Sequence, residues 1–337
     1  MIKVAINGFG RIGRLVFRLM EENPKFEVVA INDLTDAEQL AYLLKYDTNH
    51  RNYRIDEITN DDNNIIIGNR KVRIYSEKDP INLPWKALNI DVVMECTGLF
   101  TDKEKAMAHI NAGAKKVIIS APAKGNLKTI VYNVNHETLT GDEQVISAAS
   151  CTTNCLAPVV DVIDRKIGII KGYMTTVHAY TNDQATLDIA HKKGIQARRG
   201  RACAANIIPA STGAASAIGK VCPNLDGKLA GVAMRVPVPT GSVIDLVLEL
   251  KKNTTIDEIN NILKNSQNET LQYTDDPIVS SDVIDRRCGC LVDGLSTSIL
   301  EVDGKQLVKV VAWYDNEMSY TAQMVRTARY LIEKEII

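Results

Sequence analysis

The chain has 337 residues, of which 45% are hydrophobic and 24% are charged, a composition typical of a globular protein with one large or two medium domains. Its 40 Lys and Arg nearly balance its 41 Asp and Glu, so no global basic field favours nucleic acid as a main partner. No apolar run reaches the roughly 18 residues that span a membrane, and the first residues lack the pattern of a signal peptide.

The first half of the chain alternates short apolar runs with amphipathic stretches. Val4-Ala5-Ile6 predicts a buried strand, and Ile12–Met20 predicts a helix because its apolar residues recur at helical spacing. Further elements of the same two kinds are predicted at Val28–Ile31, Asp91–Cys96 and Val117–Ser120 (strands), at Ile65–Tyr75 (a hairpin) and near Lys103–Ala112 (a helix). This alternation is typical of a parallel sheet with crossover helices.

The pattern changes after residue 150. Ser150–Thr153 offers hydroxyls that cap a helix, and apolar residues follow at helical spacing. Longer strand-like runs come next, at Tyr173–Tyr180, Val232–Val238, Val243–Leu250 and Leu307–Trp313. Because short crossovers between them are few, they predict a mostly antiparallel sheet. Ser319–Glu335 has the pattern of an amphipathic helix.

A dinucleotide signal lies at the start of the chain. Gly8-Phe9-Gly10-Arg11-Ile12-Gly13 follows a predicted strand and opens a predicted helix, and Asp33 comes 20 residues after Gly13. In this pattern Gly8 permits a tight turn, Gly10 lets backbone N–H groups reach a pyrophosphate, and Gly13 allows the helix to approach the strand. The carboxylate of Asp33 suits the ribose hydroxyls of NAD and repels the additional phosphate of NADP. A glycine-rich turn with a solvated aspartate is the alternative explanation.

The chain has seven cysteines, an odd number at low density that does not suggest a set of disulfides. We therefore expect a cytoplasmic protein with reduced thiols. The question is then which thiol is reactive. Cys151 falls where a helix is predicted to begin, a position that favours thiolate over thiol, and Cys155 lies one turn later. His178 ends a predicted strand and is a candidate acid–base partner, although spacing alone does not show contact. Cys151 and Cys155 lack a second matching pair, and Cys288-Gly289-Cys290 is a weak metal candidate, so we expect no metal site.

Several motifs in order resemble the glyceraldehyde-3-phosphate dehydrogenase family over nearly the full length. The motifs that carry the resemblance are Asn7–Arg14, Ala149–Pro158, His178–Gln184, Asn206–Ala215, Met234–Pro237 and Trp313–Glu317. The resemblance implies an α/β fold with a Rossmann-type NAD-binding domain at 1–150 and an α+β catalytic domain at 151–316. It also implies that a C-terminal helix at about 317–337 packs back onto the first domain.

The family resemblance implies a role for individual residues. Cys151 would attack the aldehyde to form a hemithioacetal and then a thioester, and His178 would act as base and help hold the oxyanion with the Cys151 N–H. The residues implied to bind NAD are Gly8, Gly10, Arg11, Ile12, Gly13, Asp33, Thr97, Ser120 and Asn316, the last of which would orient the nicotinamide carboxamide. The implied reaction oxidises glyceraldehyde 3-phosphate with NAD and inorganic phosphate in glycolysis.

Two anion pockets are implied as well, one for the substrate phosphate and one for the attacking phosphate. Thr181 and Arg235 match the first, and the second is matched by Ser150, Thr152, Arg199, Thr212 and Gly213. Hydroxyls, a backbone amide and guanidinium groups suit phosphate oxygens. The family also suggests a homotetramer in which residues 181–201 contribute to subunit contacts.

Two segments depart from the family pattern. Ala190 stands where NAD-specific members often carry proline, which weakens the expectation of strict NAD preference, and Arg286–Cys290 replaces a segment usually richer in Ser and His. Three other functions compete with the main prediction: an erythrose-4-phosphate dehydrogenase, a cysteine hydrolase or acyltransferase built on Cys151 and His178, and a nucleic-acid-binding protein. The dinucleotide signal argues against the hydrolase, and the near-neutral charge argues against nucleic acid as the main partner.

Overall fold

A computed structural model describes residues 1–191 and 194–335 of the chain, which fold as two compact units. The first unit contains residues 1–150 and a segment that begins at Thr321, and the second contains Cys151–Tyr320. Residues 192 and 193, within the segment expected at subunit contacts, and the last two residues of the predicted C-terminal helix lie outside the described residues.

The first 150 residues contain eight strands and four α-helices. The strands are β1 (Ile2–Asn7), β2 (Phe26–Asn32), β3 (Ile58–Asp61), β4 (Asn64–Ile67), β5 (Arg70–Tyr75), β6 (Val92–Glu95), β7 (Lys116–Ile119) and β8 (Val145–Ser147). The helices are α1 (Arg11–Glu21), α2 (Ala37–Lys45), α3 (Trp85–Leu88) and α4 (Lys103–Asn111).

The strands of the first unit form one sheet in the order β3-β4-β5-β2-β1-β6-β7-β8. Pairing is parallel from β5 through β8, as the strand–helix alternation predicts, and β3, β4 and β5 are joined antiparallel. Ile67 pairs with Arg70, so the turn of the β4–β5 hairpin is only Gly68 and Asn69. Val4, Ala5 and Ile6 are fully buried because β1 is central, and central parallel strands are covered on both faces.

From Cys151 onward, the described residues contain four α-helices and seven strands. They are α5 (Cys151–Lys166), β9 (Ile169–Ala179), β10 (Ile208–Ser211), α6 (Ile218–Val221), β11 (Leu229–Val236), β12 (Ser242–Leu250), α7 (Ile256–Asn265), β13 (Leu271–Thr274), β14 (Cys290–Val302), β15 (Lys305–Tyr314) and α8 (Met318–Glu333).

The strands of the second unit form a sheet in the order β10-β11-β9-β12-β15-β14-β13. Four of its pairings are antiparallel and two, β11 with β9 and β13 with β14, are parallel. Residues of β12 alternate between buried and half-buried, the period-two pattern of a sheet with one face on the core. The α/β fold class with one mostly parallel and one mostly antiparallel sheet is therefore confirmed.

All seven cysteines are free thiols, and five of them are buried. Cys288 and Cys290 are among the buried ones, so the unusual Arg286–Cys290 segment places its sulfurs in the core. Within the described residues, none of the helices combines the length and apolar character needed to cross a bilayer.

Candidate active site

The glycine-rich turn connects β1 to α1, and two of its three glycines are required for steric reasons. Gly8 has φ +88°, and a Cβ on it would meet Thr97 N at 2.8 Å. A Cβ on Gly13 would meet Gly8 O at 2.1 Å, whereas one on Gly10 would meet nothing within 4 Å. No side chain caps the N-terminus of α1. Open space at Gly10 next to an uncapped helix start fits an anionic pyrophosphate.

Asp33 lies directly after β2 and holds the same turn. Its Oδ2 accepts the Phe9 backbone N–H at 2.7 Å, and its Oδ1 accepts the Thr35 N–H at 3.0 Å. A carboxylate has about four acceptor positions, so capacity remains for the hydroxyls of a ribose. The half-buried Asp33 can therefore bind a cofactor while it anchors the loop.

The other cofactor candidates of the first unit surround this turn. The Arg11 guanidinium forms a bidentate pair with Asp47. The part of Arg11 that can bind an anion at the helix start is therefore its backbone and not its side chain. Ile12 is half-buried in the first turn of α1. Thr97 follows β6, and Ser120 follows β7 and donates its backbone N–H to Glu95 O at 2.9 Å. The carboxyl ends of neighbouring parallel strands thus bring these residues to one edge of the sheet.

A buried polar network supports this edge. Glu95 Oε1 accepts from the Thr97 N–H at 2.8 Å and from the Thr97 hydroxyl, while Oε2 accepts from Asn7 Nδ2 at 2.6 Å. His109 Nε2 lies 3.0 Å from the same Oε2, and Trp85 Nε1 donates to His109 Nδ1 at 3.0 Å. Indole N–H only donates, so Nδ1 is an acceptor and Nε2 carries the proton that binds Glu95.

The second unit places Cys151 at the start of α5 and His178 near the end of β9. Cys151 Sγ lies 3.4 Å from His178 Nε2, and His178 Nδ1 lies 2.7 Å from Ala179 O. A carbonyl oxygen only accepts, so Nδ1 carries the proton and Nε2 presents a lone pair to the thiol. This is the geometry of a base facing a nucleophile.

Electrostatics at this pair oppose ionisation. Burial raises the pKa of the Cys151 thiol, and the charge of Arg235 and hydrogen bonds at Thr152 and Cys151 itself offset this only in part. Burial also lowers the pKa of His178 to about 3, helped by the charges of Arg235 and Arg199. Burial thus favours the neutral form of both groups, whereas the helix-start position alone favours a thiolate at Cys151. The physical reason is that burial outweighs the stabilisation from neighbouring charge and hydrogen bonds.

Tyr314 links Thr152 to the strand that carries His178. Thr152 Oγ1 lies 2.9 Å from Tyr314 Oη, which lies 2.8 Å from Thr176 Oγ1. The Tyr314 ring also contacts the His178 ring edge-on, with centroids 5.9 Å apart. All four side chains are buried. Tyr314 thus connects the first turn of α5 with the strand that carries His178.

Three of the residues expected in the two anion pockets, Thr181, Arg199 and Arg235, form a cationic cluster with Asp183. Arg235 Nη1 donates to Thr181 Oγ1 at 2.9 Å and to Ala179 O at 3.0 Å. Asp183 pairs with Arg199 and accepts from the Thr181 hydroxyl. Burial lowers the pKa of Arg199, and the charge of Arg235 lowers it further.

Three other phosphate candidates lie on turns. Ser150 is half-buried directly before α5. Thr212 and Gly213 follow β10, where Thr212 Oγ1 accepts the Ala214 N–H at 3.2 Å. Gly213 is exposed, and a Cβ on it would lie no closer than 4.0 Å to Ser216 Oγ, so its backbone is open to a ligand.

Asn316 follows β15 and is buried, and three hydrogen-bond donors face its carboxamide oxygen. Thr240 Oγ1 lies 3.3 Å from Asn316 Oδ1. Gly241 N–H and Ser242 Oγ lie 3.2 Å and 2.9 Å from Asn316 Oδ1. Because a backbone N–H only donates, the atom facing Gly241 is the amide oxygen, and Nδ2 points to the opposite side as a donor.

Four residues of this constellation were not singled out in the sequence. Tyr314, Thr176, Asp183 and Ser242 contact candidate residues directly. For Thr176 a signal existed, since it lies two residues before His178 and therefore on the same face of β9. Ser242 carried no such signal because its contacts depend on the register of separate strands.

Comparison with family models matches both halves of the chain. The model described as "Glyceraldehyde 3-phosphate dehydrogenase, NAD binding domain" matches residues 2–103. The model described as "Glyceraldehyde 3-phosphate dehydrogenase, C-terminal domain" matches residues 150–316.

Curated relatives are similar over almost their whole length. A glyceraldehyde-3-phosphate dehydrogenase from Clostridium pasteurianum is 60% identical over 330 residues, which is 98% of each chain. Proteins of the same name from Clostridium acetobutylicum and Streptococcus pyogenes are 58% and 53% identical, again over 98% of each chain.

Proposed function

Because the chain belongs to the glyceraldehyde-3-phosphate dehydrogenase family and is an NAD-dependent oxidoreductase, we propose that it converts D-glyceraldehyde 3-phosphate and inorganic phosphate into 1,3-bisphosphoglycerate in glycolysis. The observation that carries this proposal is the 3.4 Å contact between Cys151 Sγ and His178 Nε2. A thiol beside an unprotonated imidazole nitrogen is equipped to attack an aldehyde carbon covalently.

In the first step, His178 Nε2 takes the thiol proton of Cys151 as Sγ forms a bond to the aldehyde carbon. The product is a hemithioacetal oxyanion next to an imidazolium. The new Nε2–H and the Cys151 backbone N–H then donate to the oxyanion and stabilise its charge. Because Nδ1 is tied to Ala179 O, the ring keeps its orientation throughout.

In the second step, the hemithioacetal carbon loses a hydride and becomes the carbonyl carbon of a thioester on Cys151. Bound NAD+ supplies the hydride acceptor. A phosphate oxygen then attacks the thioester carbon, the carbon–sulfur bond breaks, and the acyl phosphate leaves. The Cys151 thiolate recovers its proton from the His178 imidazolium, which restores the neutral pair.

The residues assigned to the cofactor are taken unit by unit. Residues 1–150 serve as the NAD-binding domain, with Gly8–Gly13 receiving the pyrophosphate, Asp33 the ribose, and Thr97 and Ser120 the remainder of the cofactor. Residues 151–316 serve as the catalytic domain, and the C-terminal helix α8 completes the first domain. Asn316 supplies its Nδ2 donor to the nicotinamide carboxamide.

Phosphate groups are assigned to the cationic cluster. Thr181 and Arg235 take the phosphate of the substrate, and inorganic phosphate is taken by Ser150, Thr152, Arg199, Thr212 and Gly213. The support for this division is the open Gly213 backbone and the lowering of the Arg199 pKa by the charge of Arg235. Guanidinium forks and hydroxyls match phosphate oxygens in number and geometry.

Four copies of the chain assemble as a homotetramer, with residues 181–201 at subunit contacts. Leu187, Ile189 and Ile195 in this segment are 74%, 64% and 95% exposed, and clustered exposed apolar side chains are typical of an interface. Native mass spectrometry measures the assembly. A monomer at micromolar concentration contradicts it.

The central experiment follows NADH formation from glyceraldehyde 3-phosphate at 340 nm, with phosphate present and then omitted. We expect sustained turnover only with phosphate, because the thioester needs a phosphate oxygen as acceptor. Cys151→Ser should abolish turnover while NAD still binds. Turnover that is indifferent to phosphate, or survives in Cys151→Ser, contradicts the mechanism. Erythrose 4-phosphate serves as the comparison aldehyde, and the names of the relatives do not favour it.

A further inference from the structure

Ser242 carries a completely buried hydroxyl at the first residue of β12. Its Oγ lies 3.1 Å from Ala179 N and 2.9 Å from Asn316 Oδ1. A backbone N–H only donates, so Ser242 accepts from Ala179 and sends its own proton to Asn316. One hydroxyl therefore joins the strand of His178 to the asparagine that follows β15.

On the Asn316 side, this hydrogen bond holds the carboxamide in place. Gly241 N–H only donates, so exchanging the carboxamide oxygen and nitrogen would set an N–H group against the Gly241 N–H. With the oxygen fixed there, the Ser242 hydroxyl donates to it at 2.9 Å. Nδ2 therefore stays turned away as a donor. A ligand carboxamide oxygen is the acceptor that such a donor recognises.

On the Ala179 side, the same hydroxyl anchors the residue that orients the base. Ala179 O accepts from His178 Nδ1 at 2.7 Å and from Arg235 Nη1 at 3.0 Å. Ser242 holds the N–H of this same residue. A shift of Ala179 would move the acceptor that keeps the proton on Nδ1 and thereby leaves Nε2 free to act as a base.

We propose that Ser242 is a positioning residue for both hydride transfer and proton transfer. Its hydroxyl holds Asn316, which donates to the nicotinamide carboxamide. It also holds Ala179, whose carbonyl oxygen accepts from His178 and Arg235. This inference rests on the proposed function, because it assigns to Asn316 and His178 their roles in that reaction. Ser242 touches neither the substrate nor the thiol. Its effect therefore passes through the two residues that it holds.

The test uses Ser242→Ala in the full-length protein. We expect kcat for NADH formation to fall about 10-fold, the size expected when one hydrogen bond no longer supports alignment in the transition state. The Kd for NAD should change less than about threefold, since the glycine-rich turn and Asp33 are untouched. With substrate deuterated at the aldehyde carbon, the isotope effect on kcat should increase because hydride transfer becomes more rate-limiting.

A matched control is available in the same unit. Thr297 is a buried hydroxyl that donates to Asn260 Oδ1 at 2.7 Å, the same kind of pair as Ser242 with Asn316. Thr297→Val removes that hydrogen bond without removing volume. We expect it to lower stability but to leave kcat and the isotope effect at wild-type values. If Thr297→Val changes both as much as Ser242→Ala does, Ser242 has only a structural role and the inference is wrong.

A folded Ser242→Ala protein with wild-type kcat and isotope effect also overturns the inference. If Ser242→Ala does not fold, Ser242→Cys replaces the hydroxyl by a weak S–H donor and should give a smaller change in the same direction. Wild-type kinetics in Ser242→Cys would then contradict the role.

The alkylation of Cys151 by iodoacetamide separates this inference from the proposed function. If wild-type protein forms no NADH from the aldehyde, the proposed function fails, yet alkylation can still be measured. We expect Ser242→Ala to slow alkylation about threefold at neutral pH, as a less firmly held base would. Thr297→Val should not slow it. An unchanged rate in Ser242→Ala would remove the link to His178.

Discussion

His109 in the first unit and His178 in the second are both almost completely buried, yet their imidazoles are held in opposite tautomers. Trp85 donates to Nδ1 of His109, so the His109 proton is on Nε2, which donates to the carboxylate of Glu95. Ala179 O takes the Nδ1–H of His178, so its Nε2 lone pair faces a thiol. The partner of Nδ1 thus decides which ring nitrogen carries the proton, and it leaves His178 with an acceptor nitrogen that faces a thiol.

Replacing His178 should produce the largest effect on rate. His178→Asn removes the base that faces Cys151, so we expect kcat to fall about 10²–10⁴-fold, the usual contribution of a positioned acid–base group. Stopped-flow NADH formation measures it. His109→Asn is the matched variant and should change stability without a comparable loss in kcat of the folded fraction. A loss within about 10-fold in His178→Asn would show that the two histidines do not differ in the way that their tautomers indicate.

Glu95→Gln tests the other half of the comparison. Four donors point at this carboxylate, and a glutamine must turn its NH₂ toward two of them. We expect a loss of about 1–3 kcal/mol in the free energy of unfolding, measured by urea denaturation. Glu57→Gln is the exposed control and should stay within about 0.5 kcal/mol, although Glu57 is hydrogen-bonded to Arg54. Equal stability of Glu95→Gln and wild type would mean that the network does not stabilise the cofactor edge.

Asp33→Ala should act on the cofactor more than on the fold. The carboxylate anchors Phe9 N–H and faces the expected ribose position, so we expect the Kd for NAD to rise about 10-fold and the preference over NADP to fall. Calorimetric titration with both cofactors measures this, and it also tests whether Ala190 relaxes the preference in wild type. Asp36→Ala removes a nearby helix cap from α2 and should cost stability only. An unchanged NAD-to-NADP ratio in Asp33→Ala would contradict the assignment.

The sequence predicts the glycine-rich region better than the contacts around Cys151 and His178, and the reason is physical. The β1 strand, the glycine-rich turn and the start of α1 are contiguous, and their steric requirements are local, so periodicity and glycine spacing predict them. The start of α5 at Cys151 is local in the same sense. These elements and the two kinds of sheet were accessible before the structure.

The catalytic constellation depends on long-range register instead. Cys151 and His178 are 27 residues apart, and Thr152 and Tyr314 are 162 apart. Their contacts exist only because β9, β12 and β15 pair in one register, which core packing determines. The tautomer of His178 and the bridging role of Ser242 follow from that register, so no local pattern could indicate them. Burial also opposes the expected ionisation of Cys151, and local sequence does not indicate this because desolvation depends on the whole surrounding fold.

The smallest effect concerns Arg11, which the family resemblance placed among the cofactor residues and whose guanidinium pairs with Asp47. Burial alone would raise the pKa of Asp47, but hydrogen bonds from Arg11 and the His50 N–H, with the charge of Arg11, lower it to about 2. A carboxyl with a lowered pKa adds stability above its ordinary pKa near 3.8, and this is lost as pH falls toward about 2. Between about pH 5 and pH 3 the pair should lose about 1 kcal/mol.

Asp47→Asn removes this titration, so the stability difference between it and wild type should shrink as pH falls through that window. Urea midpoints at several pH values measure the difference. A difference that stays constant would mean that Asp47 does not titrate with a lowered pKa. The Arg11–Asp47 pair would then not be the ionic support of the glycine-rich turn that its geometry indicates.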